Sequence, residues 1–255
     1  MIRSNLAGFL MLGVCLTLFV QCQTPRPRRA VRVAMAANLS PLAKPLQKAF
    51  QKHHPSIEIE WIEGSSGKLT QQMMQGAAWD VFLSADTLYP WQLYQASLTQ
   101  QKPAIYTYGK LIFWTRESID TTRLVDFLLS DRVRKIALAN PETAPYGKAA
   151  WAYLKQQKLD SLLGSKWVIG ESISQVNQYL VSGVVEGGFT AQSLQYVTEA
   201  KGIGIILKIP AIPQGAVKLR YCSEEGAMLY AFLFTDEAKQ IFAGYGYVSQ
   251  QTDEP

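Results

Sequence analysis

The amino-acid sequence predicts an α/β fold built of two lobes, and three observations support this prediction. Apolar strand-like segments alternate with helix-like segments from residue 30 onward, a pattern typical of βαβ units with parallel strands. A second series of the same kind follows an extended stretch at 104–114, and we expect the last part of the chain to return to the first lobe. The 255 residues are 48% hydrophobic and 18% charged, which suits one large or two smaller packed domains.

The first series of elements follows from the spacing of its apolar residues. Residues 31–35 are mainly apolar and predict a strand. The next apolar residues lie three or four positions apart, as on one face of a helix, and they are Leu39, Leu42, Ala43, Leu46 and Phe50. A strand, a helix and a strand are then predicted at 57–62, 69–74 and 81–84.

The second series shows the same alternation. Strands are predicted at 136–139, 167–169 and 188–190, and helices at 147–157 and 176–181. The returning part contains a strand, a Pro-rich turn, a second strand and a helical region, at 203–208, 209–213, 217–222 and 224–243. We therefore expect a first lobe of residues 31–107 and 214–249, a second lobe of 108–213, and a tail at 250–255.

Residues 1–22 predict a secretory signal and not a part of the folded body. Arg3 precedes a nearly uncharged apolar run that is too short to span a membrane. Cys22 resembles the acylated cysteine of bacterial lipoproteins, whereas Gln21 departs from the small residue that usually precedes it. A lipid anchor at Cys22 and cleavage without lipidation therefore both stay open. Residues 23–30 predict a stiff, exposed linker.

The positive charge of the chain lies mainly in this leader and linker. Residues 1–30 contain four arginines and no acidic residue, and removing these four from the 25 basic residues leaves 21 against 20 acidic ones. A nearly neutral body gives no electrostatic indication of nucleic-acid binding. Of the three cysteines only Cys222 lies in the body, so we expect no internal disulfide.

Four turns that each follow a predicted strand and precede a predicted helix are rich in small and hydroxyl residues. A helix start leaves backbone N–H groups without intrahelical partners and favours an anion. One such turn is weak evidence, because the same residues also cap helices. Repetition in both lobes favours a shared anion site. The turns are Ala36–Ser40, Gly64–Leu69, Asn140–Gly147 and Gly170–Ser174.

These turns belong to a longer set of motifs. In chain order the motifs are Ala36-Ala37-Asn38-Leu39, Gly64-Ser65-Ser66-Gly67-Lys68-Leu69, Asp80-Val81-Phe82-Leu83-Ser84-Ala85-Asp86, Asn140-Pro141 with Ala144-Pro145-Tyr146-Gly147, and Ile241-Phe242 with Tyr245-Gly246-Tyr247. In this order and spacing they make the sequence resemble the periplasmic molybdate-binding proteins, the substrate-binding components of ABC importers. The resemblance implies a type II periplasmic-binding-protein fold, with a cleft between two lobes that are each a mostly parallel sheet flanked by helices.

The resemblance also implies a function and a site. Family members capture molybdate, and often tungstate, through Ser or Asn side chains, a Tyr hydroxyl and backbone N–H groups. Carried over by motif, the ligand residues are Ala37, Asn38, Ser66, Tyr146 and, through its backbone N–H, Ile173. We expect a periplasmic or extracytoplasmic monomer that delivers the oxyanion to an ABC transporter permease. It would touch the membrane only through a lipid anchor and would need no cofactor, catalytic residue, direct metal ligand or nucleic acid.

The chain departs from many members of this family at one position. They place a ligand-binding tyrosine where this chain has Ala191. The sequence resembles instead a subgroup whose phenol comes from the Ala-Pro-Tyr-Gly turn, and Tyr146 and Asn38 both match that variant. Whether Thr190 or Gln192 contacts the ligand stays open, as does the preference between molybdate and tungstate.

Other functions remain as alternatives. A binding protein for sulfate, phosphate or an organic solute would have the same fold, although the four turns contain no arginine to bind a carboxylate. An exported hydrolase is disfavoured because the chain has no Gly-x-Ser-x-Gly elbow, and its two histidines, His53 and His54, are adjacent. Lys68 lies beside the predicted ligand residues, but we expect a solvated helix residue there.

Overall fold

The computed structural model describes residues 29–196 and 201–249, whose strands form two separate five-stranded sheets. The predicted signal segment with Cys22, residues 23–28 of the predicted linker and the predicted tail at 250–255 lie outside the described residues. Within the described part of the chain, no helix is long and apolar enough to cross a membrane. The predicted two-lobed α/β architecture is confirmed.

The two sheets use the strands in different orders. The strands are β1 (Val31–Ala36), β2 (Ile59–Gly64), β3 (Val81–Leu83), β4 (Ala104–Gly109), β5 (Leu111–Thr115), β6 (Ile136–Ala139), β7 (Trp167–Gly170), β8 (Gly187–Ala191), β9 (Ile203–Ile206) and β10 (Ile212–Lys218). The first sheet has the order β2-β1-β3-β10-β4, and the second has the order β7-β6-β8-β5-β9. We refer to each sheet with its helices as the first and the second lobe.

Both sheets are mixed, whereas the resemblance implied mostly parallel ones. In the first sheet β1 runs parallel to β2 and β3, and β10 runs antiparallel to β3 and β4. In the second sheet β6 runs parallel to β7 and β8, and β5 runs antiparallel to β8 and β9. The antiparallel pairs arise because β4, β5, β9 and β10 carry the chain between the lobes and are not joined by βαβ crossovers.

Helices cover the sheets and follow the ends of several strands. They are α1 (Ala43–His53), α2 (Ser66–Met74), α3 (Leu88–Gln95), α4 (Leu124–Leu129), α5 (Pro145–Gln156), α6 (Ile173–Ser182), α7 (Gln192–Gln195), α8 (Glu224–Phe232) and α9 (Asp236–Gly244). Short 3₁₀ helices occur at Ala37–Leu42, Thr121–Arg123 and Gly164–Lys166. Of the α-helices, α3, α4 and α7 were not predicted.

The core of the first lobe lies on both faces of its sheet. Val33 packs in one hydrophobic cluster with Phe50 of α1, and the next residue, Ala34, packs in another cluster with Leu69 and Met73 of α2. This alternation follows from the period of two residues along a strand. The core cluster of the second lobe extends across the cleft and includes three buried residues of the first lobe: Ala36, Ala37 and Ala85. The lobes therefore pack against each other beside the strand ends.

The predicted extended stretch at 104–114 is two strands in the structure. β4 ends at Gly109 in the first sheet and β5 begins at Leu111 in the second, so a single residue, Lys110, separates them along the chain. The spacing of apolar residues cannot show that the chain changes sheets at Lys110, because the segments before and after it are both apolar.

Near the C-terminus one predicted strand was placed wrongly, and one predicted helical region is divided in two. The strand predicted at 217–222 is β10 at Ile212–Lys218, and it includes Pro213, which we had assigned to a turn. The predicted strand began too late in the chain, because proline is usually excluded from the interior of a strand. The helical region predicted at 224–243 is two helices, α8 and α9, because Thr235 starts a new helix as its N-cap.

Candidate functional site

A small cavity lies between the lobes, where the starts of several helices meet. It has an empty volume of about 200 Å³. Larger grooves of about 780 and 1100 Å³ elsewhere on the described surface contain none of the predicted ligand residues. All five of those residues line the small cavity, whose described lining residues are Ala36, Ala37, Asn38, Gly64, Ser65, Ser66, Ala85, Ala144, Pro145, Tyr146 and Ile173. Every one of these side chains is uncharged.

Helix starts supply the backbone groups of this cavity. Ser66 is the first residue of α2, Tyr146 is the second residue of α5, and Ile173 is the first residue of α6. The N-cap residues Ser65 and Ala144 make no side-chain cap hydrogen bond. In α6, by contrast, the Ser172 side chain caps the helix by accepting from the Gln175 N–H. The N–H groups of Ser66, Tyr146 and Ile173 lie in first turns without an intrahelical acceptor, and an anion between them would accept their hydrogen bonds.

Two buried hydroxyl groups are held so that each retains its proton for the cavity. Ser66 Oγ accepts a hydrogen bond of 3.0 Å from the Ala85 N–H, and the Tyr146 hydroxyl accepts one of 3.0 Å from Gln214 Nε2. A hydroxyl that accepts from a structural donor still has its own O–H to donate. Ser66 and Tyr146 can therefore both donate to a ligand oxygen.

The Tyr146 phenol stays protonated in this environment. Burial, with the nearby Tyr247 hydroxyl as a smaller cause, raises the pKa of Tyr146 well above its ordinary value. An uncharged phenol donates a hydrogen bond, whereas a phenolate would repel an anion. The cavity thus offers neutral donors over the whole physiological pH range.

Asn38 contributes to the cavity in a more restricted way than the resemblance implied. Its side-chain Nδ2 donates to Gln214 Oε1 at 3.0 Å and to the Tyr247 hydroxyl at 2.7 Å, while its Oδ1 is buried without a hydrogen-bond partner. Both side-chain N–H groups are therefore used within the protein. The backbone N–H at the start of the 3₁₀ helix Ala37–Leu42 is the donor that Asn38 can offer to a ligand.

Sequence reasoning missed several residues of the site. Ser65 is buried and lines the cavity, and its Oγ has no hydrogen-bond partner, so it is a third hydroxyl that can serve a ligand. Ser65 is adjacent to Ser66 in the same motif, and this position could have indicated it as a site residue. Gln214 and Tyr247 support Asn38 from 176 and 209 residues away. Tyr247 belongs to the last of the family motifs but was not named as a site residue, and no local pattern indicated Gln214.

The segment after β8 lies beside the site but outside its wall. Ala191 is fully buried, and neither Thr190 nor Gln192 occurs among the described residues that line the cavity. Ser193, three residues after Thr190, contacts the first lobe instead, because its Oγ donates to the Asn38 carbonyl oxygen at 2.8 Å. This segment therefore contacts the main chain of the predicted ligand residue Asn38.

The lobes touch at an outer rim, formed by residues of the starts of α2 and α3 and the facing turns of the second lobe. The Gly67 N–H donates to the Thr143 carbonyl oxygen at 2.9 Å, and the Tyr89 hydroxyl donates to the Glu142 carbonyl oxygen at 3.0 Å. The expectation for Lys68 is refined, since its half-exposed ammonium group pairs with Glu171 at 2.7 Å. We use the name outer rim for these residues: Gly67, Lys68, Tyr89, Glu142, Thr143 and Glu171.

On the opposite side of the cavity, buried side chains join the lobes near the point where the chain crosses between them. A Cβ atom on Gly109, the last residue of β4, would lie 2.0 Å from the Tyr146 hydroxyl oxygen, which places that hydroxyl beside the crossing. We call this group the hinge-side cluster: Asn38, Tyr106, Gln214 and Tyr247 of the first lobe with Tyr146 and Ser193 of the second. The lobes are therefore in contact both at the outer rim and in this cluster.

Comparison with known proteins identifies the family. The family model for bacterial extracellular solute-binding proteins matches residues 31–248. The chain belongs to this family. The solute-binding protein is also 31% identical over 245 residues to the molybdate-binding protein ModA of Rhodobacter capsulatus, a match that covers 93% of this chain and 96% of that protein. The resemblance found in the sequence is therefore confirmed.

Two further relatives extend the comparison. The solute-binding protein is 27% identical over 253 residues to the putative ABC transporter substrate-binding lipoprotein YvgL of Bacillus subtilis (strain 168), covering 96% of both chains. Its fold matches the periplasmic molybdate-binding protein of Azotobacter vinelandii with a TM-score of 0.79 and 27% identity, over 87% of this chain and all of that one.

Proposed function

We propose that this solute-binding protein captures molybdate, and also tungstate, outside the cytoplasm and delivers it to the permease of an ABC importer. The observation that carries the proposal is the small cavity between the lobes, in which uncharged walls surround hydroxyl and backbone N–H donors from both lobes. The relatives named as molybdate-binding proteins support the choice of ligand. No catalytic role follows from these residues, and we propose none.

The chemistry of the cavity suits a tetrahedral dianion. Removing such an anion from water is costly unless its oxygens accept hydrogen bonds, and bonds to a charged acceptor are about twice as strong as neutral ones. No carboxylate lines the described wall, so the O–H of a hydrogen phosphate has no strong acceptor. Sulfate has the charge of molybdate, and its smaller size would leave donors unpaired at about 1–3 kcal/mol each.

Titration calorimetry with molybdate, tungstate, sulfate and phosphate tests this proposal. We expect binding heat with molybdate and tungstate. The affinity for sulfate and phosphate should be at least 10-fold lower, which corresponds to a difference in binding free energy of about 1.4 kcal/mol. Equally tight sulfate binding would contradict the ligand assignment. Absence of heat with every oxyanion, in folded and ligand-free protein, would contradict the receptor function itself.

Two substitutions test the site. Ser66→Ala and Tyr146→Phe each remove one donor to a charged acceptor, and we expect each to lower molybdate affinity by about 10-fold or more. Ser182→Ala is the matched control, because Ser182 is exposed and its Oγ only contacts the Tyr179 carbonyl oxygen of its own helix. Unchanged affinity in both site variants would mean that the ligand residues are assigned wrongly.

We also propose that Cys22 is lipidated and anchors the protein to the membrane. The lipoprotein name of the relative YvgL supports this proposal, and the residue before Cys22 is its weak point. Expression of the full chain with Cys22→Ser should move the protein from the membrane fraction to the soluble extracytoplasmic fraction. An unchanged distribution would exclude the lipid anchor without affecting the proposed ligand.

A further inference from the structure

Gln214 connects ligand-facing residues of the two lobes. It is fully buried on β10, and its Nε2 donates to the Tyr146 hydroxyl at 3.0 Å. Its Oε1 accepts from Asn38 Nδ2 at 3.0 Å. The Tyr106 hydroxyl lies 3.1 Å from the same oxygen and 3.2 Å from the Ser84 carbonyl oxygen, and its single proton can be donated to either one. A Cβ atom on Gly109 would lie 2.0 Å from the Tyr146 oxygen and 2.2 Å from Gln214 Nε2, so the contact occupies space that only glycine leaves free.

Main-chain carbonyl groups set the direction of the hydrogen bonds in this cluster, because a carbonyl can only accept. The Asn38 carbonyl oxygen accepts from the Tyr247 hydroxyl at 2.9 Å and from Ser193 Oγ at 2.8 Å. The Tyr247 proton goes to that carbonyl or to Ser193 Oγ at 3.2 Å, and in both arrangements the Tyr247 hydroxyl presents a lone pair to the Asn38 side chain. The side chain must therefore present Nδ2, which lies 2.7 Å away.

The same direction continues from Asn38 to Tyr146. Because Asn38 also presents Nδ2 to Gln214, the Gln214 amide turns Oε1 toward Asn38 and Nε2 toward Tyr146. The Tyr146 oxygen then accepts, and its own proton is left for an acceptor in the cavity. We propose that Gln214 is a positioning residue that directs the Tyr146 hydroxyl proton onto the bound oxyanion, an inference that rests on the proposed function.

The inference predicts that Gln214 acts only through the Tyr146 hydroxyl. Gln214→Met keeps the length of the side chain and removes both polar atoms, so the Tyr146 proton loses its imposed direction. We expect this substitution to weaken molybdate binding about 10-fold in the otherwise unchanged protein and less than about 2-fold in the Tyr146→Phe background. The measurement is titration calorimetry with molybdate on the two single variants and the double variant.

A merely structural role gives a different result. If Gln214 only fills space, Gln214→Met lowers the affinity by the same factor in both backgrounds, and the inference is overturned. Gln101→Met is the matched control, because Gln101 Nε2 also donates to a tyrosine hydroxyl, that of Tyr230, away from the cavity. This control should leave molybdate affinity unchanged.

A second substitution keeps the inference testable if Gln214→Met does not fold. Gln214→Leu removes the same two polar atoms with a shorter apolar side chain, and it should also weaken molybdate binding about 10-fold, with less than about a 2-fold effect in the Tyr146→Phe background. Equal effects in both backgrounds would overturn the inference. If the unchanged protein itself fails to bind molybdate, the proposed function fails instead, so the two failures are distinguishable.

Discussion

The outer rim and the hinge-side cluster join the same two lobes with opposite chemistry. In the outer rim, the Lys68 and Glu171 side chains keep 45% and 73% of their surface exposed. In the hinge-side cluster, Asn38 and Gln214 are fully buried and neutral. Exposed contacts break and reform at little cost, whereas buried polar groups must stay paired. The comparison therefore separates contacts suited to opening the cleft from contacts that shape the site.

The position of each set explains this difference. A charge in the hinge-side cluster would need an ionic partner in a dry environment and would lie close to a bound anion. Neutral amides and phenols avoid both costs and still have a definite donor direction. At the outer rim, water solvates the ions, so an ion pair there does not have to be permanent. Alkaline pH should therefore weaken the hinge-side cluster, and high salt should weaken the ion pair of the outer rim.

Alkaline pH should have the largest effect, on the hinge-side cluster. Burial raises the pKa values of Tyr106, Tyr146 and Tyr247 above the ordinary phenol value. Above about pH 10 the unfolded chain loses these protons while the folded chain keeps them, so the free energy of unfolding falls by about 1.4 kcal/mol per pH unit for each phenol. Urea unfolding between about pH 9 and 11 measures this slope.

A pair of variants separates the buried phenols from exposed ones. Tyr106→Phe should lower the slope by the contribution of one phenol, whereas Tyr221→Phe, at a side chain that is 83% exposed, should leave it unchanged. A slope that is the same in all three proteins would contradict the assignment of neutral buried phenols to this side of the cavity.

Gly67→Ala should have the next largest effect, at the outer rim. A Cβ atom there would lie 2.9 Å from both the Cα and the carbonyl oxygen of Thr143, so the lobes could not close fully. Such overpacking costs about 1–3 kcal/mol, and molybdate affinity should fall about 10- to 100-fold in calorimetry. Gly164→Ala is the control, because nothing lies within 4 Å of that added atom. Wild-type affinity for Gly67→Ala would show that this contact is not needed for binding.

Ser193→Ala should have a smaller effect, on the hinge-side cluster. It removes one of two donors to the Asn38 carbonyl oxygen, and Tyr247 still donates to the same atom. We expect the free energy of unfolding to fall by about 1 kcal/mol, with no dependence on salt. Urea unfolding at low and high salt checks this, with Ser182→Ala as the exposed serine control. A loss that disappears at high salt would count against a neutral cluster.

Lys68→Ala should have the smallest effect. An exposed ion pair contributes about 0.2–1 kcal/mol, so molybdate affinity should fall less than about 5-fold, and the difference should vanish in high salt. Lys239→Ala removes a comparable exposed pair with Asp236, away from the cleft, and should leave affinity unchanged. A salt-resistant loss of 10-fold or more would mean instead that Lys68 binds the ligand directly.

The sequence predicted those residues of the candidate site that belong to local motifs. Ala37, Asn38, Ser66, Tyr146 and Ile173 were named from strand-to-helix turns and a family resemblance, and all of them lie in one cavity wall. Their contact with a ligand stays a prediction. The same reasoning gave no indication of Gln214, because it lies 176 residues from Asn38 and its own surroundings in the sequence are those of an ordinary strand.

The sequence by itself determined the alternation of strands and helices and the helix starts that supply N–H donors. These features depend on residues a few positions apart, whose period and capping chemistry can be read directly. Only the tertiary structure decided that the sheets are mixed, that the helix starts converge on one cavity, and that the Tyr146 proton faces it. The direction of that proton depends on carbonyl and amide groups that folding brings together from distant parts of the chain.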